Sequence, residues 1–279
     1  MATLKLPGND SGEFDHGEVY FIGNATTLIK WGGITVLTDP VFLPKGQHVP
    51  LGGGLYARRE VDPACQIADL PPLDLVVLSH FHPDHFDDVA AKGLPKNLPI
   101  ITTAQAVGKL GEIGFDQGHA LSTWDSHTVE KGTARLRITA MPARHAVDDA
   151  AEAFMVPVNG HMLEFMKGDR VVYRLYITGD TMPIDRLLDI PRQFPDIDLG
   201  MYHTGGAALF LTTITMTGDQ AIRLVEITKP KVAIPLHYND YSMCLSGLDD
   251  FKKAAAKSSG TTKFQYLAHG DRYQFSANS

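Results

Sequence analysis

Cysteine is almost missing from this chain: Cys65 and Cys244, far apart, are the only two among 279 residues. A disulfide framework is thereby excluded, and so sparse a use of thiols suits a reducing cytoplasm. Basic charge is also in short supply. Against 32 acidic residues stand 25 lysines and arginines, giving a formal net charge of −7, and no run of Lys or Arg exceeds two. Nucleic acid and anionic membranes are disfavoured as partners, because such binding needs a basic patch. No apolar run approaches the ~20 residues of a membrane span. The opening "MATLKLPGNDSGEFD" has no apolar core of the secretory type. A cytoplasmic protein without stable membrane insertion is expected, a homo-oligomer being compatible with that. What remains is ordinary globular material, 44% hydrophobic and 20% charged, with a sizeable core.

Turns and apolar runs give an element order. "EVYFIG" and "TLIKW", then the Gly32-Gly33 turn and "ITVLTDP", read as strands with a hairpin. Leu73–Leu78 is a buried strand by length and β-branched content. Asp84, Asp87 and Asp88 follow where a helix N-terminus favours negative charge, with Gly93 as a stop. "PIITT" is a strand and "AQAVGKLGEIG" a helix. The second half repeats the order. "HMLEF" and "RVVYRLYITGD" flank the turn "MKGD", "IDLGMY" echoes "LDLVVL", and "KVAIPLH" echoes "LPIITT". A helix starts at Thr217 with Gln220 three residues on as a capping box, and "LDDFKKAAAKSS" is a last helix ending at Gly260. The expectation is a single domain over 1–279, made of two pseudo-equivalent halves (about 1–140 and 141–279), with two sheets face to face and helices outside. The longest irregular segment, "LPKGQHVPLGGGLYARREVDPAC", has the character of a lid or binding loop.

The buried run at Leu73–Leu78 ends abruptly in His80, His82, Asp84 and His85, four metal-capable side chains within six positions. In an extended strand His80 and His82 point to one side, ~6.6–7 Å apart along the backbone, and can converge on one ion. Pro83 turns the chain, which re-aims Asp84 and His85 towards a second. A capping aspartate with surface histidines explains any one of these residues, but not the whole cluster. Four residues cannot fill two metal shells. His145 after "ARLRITAMPARH", Asp180 closing "VVYRLYITGD" and His237 closing "VAIPLH" supply three more candidates, each at or beyond the end of an apolar run.

The His-x-His-x-Asp-His cluster followed by His145, Asp180 and His237 resembles the metallo-β-lactamase superfamily, from "YFIGNATTLI" to "PLHYND". The resemblance implies an α/β fold, a four-layer αβ/βα sandwich, with a dinuclear site at one edge. It implies that His80, His82 and His145 hold the first metal, Asp84, His85 and His237 the second, and that Asp180 bridges. It also implies that Asp39, in "LTDP", orients a histidine from behind. "REVDPACQIADLPPLDLVVLSHFHPDHFD", "MPARH" and "TGDT" narrow the likeness to the branch of N-acylphosphatidylethanolamine-hydrolysing phospholipase D and the ascorbate-phosphate lactonases. Two departures stand out: Asn24 where that branch usually has histidine, and His203 in "MYHTGG".

Donors of nitrogen and oxygen without cysteine suit two divalent ions, zinc first, with manganese or iron also fitting. A bridging hydroxide would then attack a small ester, lactone or phosphodiester, with Asp84 moving a proton. His203 is a candidate proton donor to the leaving group. Asn24, Arg144 and Tyr238 are candidate substrate contacts, and Arg58, Arg59 and Arg144 candidate phosphate receivers. His16, His48, His119, His127, His161 and His269 read as structural or exposed, and Trp31 and Trp124 as core or rim. Rival classes are an iron-dependent dioxygenase on a sulfur substrate, a phospholipase D-like phosphodiesterase on a lipid head group, and a metal-stabilised binding protein. The acidic balance disfavours a nuclease.

Overall fold

The computed structural model describes residues 2–52, 54–209 and 212–277. Two sheets form the frame. One has seven strands, in the order Arg272–Ser276, His16–Gly23, Thr26–Trp31, Ile34–Thr38, Leu75–Val77, Ile100–Thr102 and Gly118–Ala120. The other has eight: Ala2–Lys5, Ser126–Lys131, Ala134–Met141, Gly160–Lys167, Arg170–Ile177, Leu199–His203, Val232–Leu236 and Lys263–Phe264. The chain passes between them after Ala120, and both ends cross over. Ala2–Lys5 pairs with Ser126–Lys131, and Arg272–Ser276 pairs with His16–Gly23.

Side chains two apart along a strand share a face, and that alternation builds the layers. Leu75 and Val77 point between the sheets, where they join Phe21, Ile29, Trp31, Leu136, Phe165, Met201 and Leu236 in one core. Val76 and Leu78 point outward, under Ala90, Ala106 and Leu110 of the helices Asp88–Gly93 and Ala104–Glu112. On the far sheet Tyr202 and Ala233 turn outward beneath the helices Gly218–Thr228 and Leu248–Ala255. The result is helix, sheet, sheet, helix: the four-layer αβ/βα sandwich.

Local signals act where expected. Thr217 caps its helix and Gln220 answers through the reciprocal bond. Asp87 caps Asp88–Gly93 by accepting from the Ala90 amide at 2.7 Å. Its other oxygen accepts from the amides of Phe42 and Leu43, each at 2.6 Å. One buried carboxylate thus pins the loop after Asp39 to the helix after His85. Two elements differ from expectation. The last helix stops at Ala255, five residues before Gly260. The irregular segment holds an antiparallel ribbon, His48–Gly52 with Leu55–Arg58, of which Gly53 lies outside the described residues. It packs on neither sheet face; only Val49 and Ala57 are buried, with Val41 and Tyr241, so no sustained alternation marks it.

Candidate metal centre

The polar groups gather where strands run out. His80 lies three residues beyond Leu75–Val77, His145 four beyond Ala134–Met141, Asp180 three beyond Arg170–Ile177, and His237 directly after Val232–Leu236. After His82 the chain makes a tight turn, with the His82 carbonyl accepting from His85 at 2.9 Å and from Phe86 at 2.8 Å. That turn sends His82 to one side of the cluster and His85 to the other.

Two donor groups result. In the first, His82 Nδ1 is 3.0 Å from His80 Nε2 and 3.3 Å from His145 Nε2. In the second, His237 Nε2 is 3.3 Å from Asp84 Oδ2, and His85 Nε2 is 3.2 Å from Asp180 Oδ2. Asp180 Oδ2 also lies 3.9 Å from His145 Nε2 and 3.8 Å from His237 Nε2, so a single oxygen reaches both groups. Bonds of ~2.0–2.1 Å arranged tetrahedrally put neighbouring donors about 3.3–3.4 Å apart. The measured separations bracket that value, so the residues fit a pair of metal ions. In a third close set, Asp39, His85 and His203, His85 already donates to Asp39 at 2.8 Å and His203 Nδ1 meets Asp180, while the buried His203 Nε2 has no hydrogen-bond partner.

Those bonds also settle which nitrogens face inward. His145 Nδ1 donates to the Ile214 carbonyl at 2.7 Å, and His237 Nδ1 to the Thr204 carbonyl at 3.0 Å. His85 Nδ1 donates to Asp39 Oδ2 at 2.8 Å. Ser79 Oγ donates to Asp39 Oδ2 at 2.7 Å, which leaves it to accept from His80 Nδ1 at 2.9 Å. With the outer nitrogen committed in all four rings, Nε2 is the atom turned towards the cluster. Buried nitrogens and carboxylate oxygens converging at these distances could hold a cation.

Electrostatics divides the groups. Burial, then His85, His82 and His145, keeps His80 well below the usual imidazole value. Burial and the neighbouring His145 push His82 down to about 4. In the second group burial opposes charge on His85, but Asp180 and Asp84 outweigh it and raise the ring well above its ordinary value. Burial likewise opposes charge on Asp84 and Asp180, yet the histidines hold both carboxyls low.

The remaining sequence candidates take varied places. Asp39 stands behind His85, with Oδ1 accepting from the Ser79 amide at 2.7 Å. Asn24, fully buried at a positive φ of 53°, donates its side-chain amide to the Asp84 carbonyl at 2.6 Å, and its main-chain carbonyl accepts from the His237 amide at 3.0 Å. It therefore ties two donor loops together from behind. His203, the candidate proton donor, is the last residue of Leu199–His203; it is fully buried, with Nδ1 3.1 Å from Asp180 Oδ1. Tyr238 donates to the Leu267 carbonyl at 3.0 Å and borders a separate cleft with Leu248 and Tyr266. Arg144 pairs with Asp149 and Arg58 with Glu60. Arg59, a candidate phosphate receiver, is fully buried: its Nη2 is 2.8 Å from Asp240, whose Oδ1 also meets His269 Nε2 at 2.9 Å. Nothing local in the sequence announces this pairing; its partners lie some 180 and 30 positions apart. Ser79 was missed too, although its place between strand and cluster was a signal.

Residues 35–238 match the model of the family described as beta-lactamase superfamily domain. Over 92% of this chain and 99% of the relative, the sequence is 29% identical to a metal-dependent hydrolase of Archaeoglobus fulgidus. It is 25% identical to N-acyl-phosphatidylethanolamine-hydrolyzing phospholipase D 1 of Caenorhabditis elegans, over 80% of this chain and 64% of that protein. Among solved structures, the isothiocyanate hydrolase from Delia radicum gut bacteria superposes with a TM-score of 0.76 at 22% identity, covering 93% of this chain and 99% of that one. At that identity the likeness speaks for the fold.

Proposed function

The chain belongs to the β-lactamase superfamily, and from that premise we propose that it is a dinuclear metal-dependent hydrolase of a small ester, lactone or phosphodiester. His80, His82 and His145 would hold one divalent ion, Asp84, His85 and His237 the other, with Asp180 shared between them. Zinc suits seven nitrogen and oxygen donors without a thiolate, and manganese or iron would fit the same set. Such ions, when bound, supply Lewis acidity and a water acidic enough to ionise near neutral pH.

The protein's own part is orientation. The Ile214 and Thr204 carbonyls, Asp39 and Ser79 fix the tautomers of four rings. Asp84 lines the cavity above the cluster and is the carboxylate placed to accept and return a proton. His203 steadies the oxygen of Asp180 that faces away from the donors. The reading rests on one observation above all: four buried Nε2 atoms aimed inward because their Nδ1 partners are already committed. The A. fulgidus relative, described as a metal-dependent hydrolase, supports it.

The test is metal analysis of the purified protein followed by a screen of lactones, carboxyl esters and bis-aryl phosphates. His82→Ala and Asp180→Asn are expected to abolish turnover and lower metal content while far-ultraviolet dichroism is kept. Full turnover in either variant overturns the dinuclear reading. One iron per chain with oxygen-dependent turnover overturns it in favour of a dioxygenase.

A further inference from the structure

Above the donor cluster lies a cavity of about 640 Å³ whose floor is His82, Asp84, His145 and Asp180. Floor and walls differ sharply in polarity. Leu51, Leu55, Phe154, Met155, Ile214 and Met243 make up most of the wall. Among the described residues Thr215 is the only polar side chain there, and its hydroxyl already accepts from the Ala207 amide at 2.7 Å. No lysine or arginine lines the cavity among the described residues. The three arginines that the sequence offered to a phosphate are each engaged: Arg58 by Glu60, Arg59 by Asp240 and Arg144 by Asp149. Sites that take a phosphodiester usually meet its charge with such side chains. At the mouth, apolar surface faces water instead, Phe154 being 82% and Leu55 47% exposed. Apolar groups clustered around a concave polar floor mark a place where an apolar ligand is covered.

We propose that this cavity takes an uncharged carboxylic ester or lactone bearing an apolar acyl chain of several carbons. The carbonyl sits over the His82–Asp84 floor, and the chain runs along Leu51, Leu55, Met155 and Met243. This substrate class rests on the hydrolase reading above. In the reaction, a bond forms between water oxygen and acyl carbon. The bond from that carbon to the alkoxy oxygen breaks, and the leaving oxygen takes a proton. An ester gives an alcohol and a carboxylate, a lactone a single hydroxycarboxylate, and the second proton of the water passes to solvent.

Hydrophobic burial of one methylene corresponds to about a fourfold gain in binding. With the metal-loaded protein, kcat/KM on p-nitrophenyl esters is expected to climb about fourfold per methylene from acetate to hexanoate. It should exceed the value on bis(p-nitrophenyl) phosphate by at least ~100-fold, given the missing cationic side chains. Leu51→Lys, a change at a half-exposed ribbon position, should lower the octanoate-to-acetate ratio at least ~10-fold by placing charge in the chain's path. A second readout needs no turnover. The uncharged dye N-phenyl-1-naphthylamine should bind the metal-free protein, be displaced by 1-octanol far better than by 1-butanol, and bind less well to Leu51→Lys. A flat chain-length series with acetate still cleaved overturns the substrate class and leaves the hydrolase reading standing. Preference for the phosphodiester does the same and points to a charged head group. Dye binding with no ester or phosphate cleaved removes the hydrolase reading and supports the apolar ligand class. Neither binding nor cleavage overturns both.

Discussion

Asp39 accepts from the Ser79 amide, the Ser79 hydroxyl and His85 Nδ1. Asparagine there would turn one of its two oxygens into a donor, so that donor faces donor and the His85 ring loses its anchor. Changes of this kind behind a ligand cost roughly 10–100-fold in metal affinity, and Asp39→Asn is expected to show that loss in a competition titration with a chromophoric chelator. Asp240 makes a different point. Burial disfavours its charge, but His269 and Arg59 outweigh burial and hold the carboxyl below its ordinary 3.8. A carboxylate with a depressed folded pKa stabilises above its unfolded value and loses that contribution as pH falls through the folded one. Urea midpoints should therefore decline below about pH 4, with a shallower decline in Asp240→Asn. Removing the carboxylate altogether, Asp240→Ala, strands Arg59 in the interior and should cost about 3–5 kcal/mol at neutral pH. The His-x-His-x-Asp-His cluster was legible because its donors crowd into six positions. The place of Asn24 was not, because it acts through the Asp84 carbonyl and the His237 amide, and backbone contacts leave no trace in residue type.

Among the elements, Gly218–Thr228 is the one that its sequence specifies most fully. Thr217 accepts from the Gln220 amide and the Gln220 side chain accepts from the Thr217 amide, closing a reciprocal cap. Thr217→Ala should destabilise by about 1 kcal/mol, read from the denaturation midpoint, with metal content unchanged because the helix lies outside the eight-stranded sheet. Strands over the core were equally readable, since Leu75 and Val77 face one neighbour and Val76 and Leu78 another. The ribbon His48–Gly52 with Leu55–Arg58 was not. Its upper side chains serve the cavity and only Val49 and Ala57 reach a small cluster, so neither period 2 nor period 3.6 appears. The final helix was read too long because Ala256, Lys257 and Ser258 are good or tolerable helix formers. Its packing ends with Ala254 and Ala255, and beyond them the backbone closes in short turns, with Lys257 donating to Ala254 and Ser258 to Ala255.

For the molecule as a whole, the donors come from both sheets: His80, His82, Asp84 and His85 from one, His145, Asp180 and His237 from the other. Ions held between them would favour the folded chain over the unfolded one by mass action, about 2.7 kcal/mol at a hundredfold excess over Kd. Stripping the protein with a chelator should accordingly lower Tm by several degrees, reversed by zinc and visible in scanning calorimetry; an unchanged Tm would argue against tight binding at this seam. No helix among the described residues is long and apolar enough to cross a membrane.

The crossing of the chain ends carries a consequence for biosynthesis. Phe275, near the last described residue, lies flat over Gly17, where any added Cβ would sit 2.1 Å from its ring, and stacks on Tyr173 with centroids 4.1 Å apart. A nascent polypeptide emerging from the ribosome therefore lacks this plug until Phe275 has been made and released from the tunnel. The amino-terminal sheet has to wait, its edge open, for the strand Arg272–Ser276.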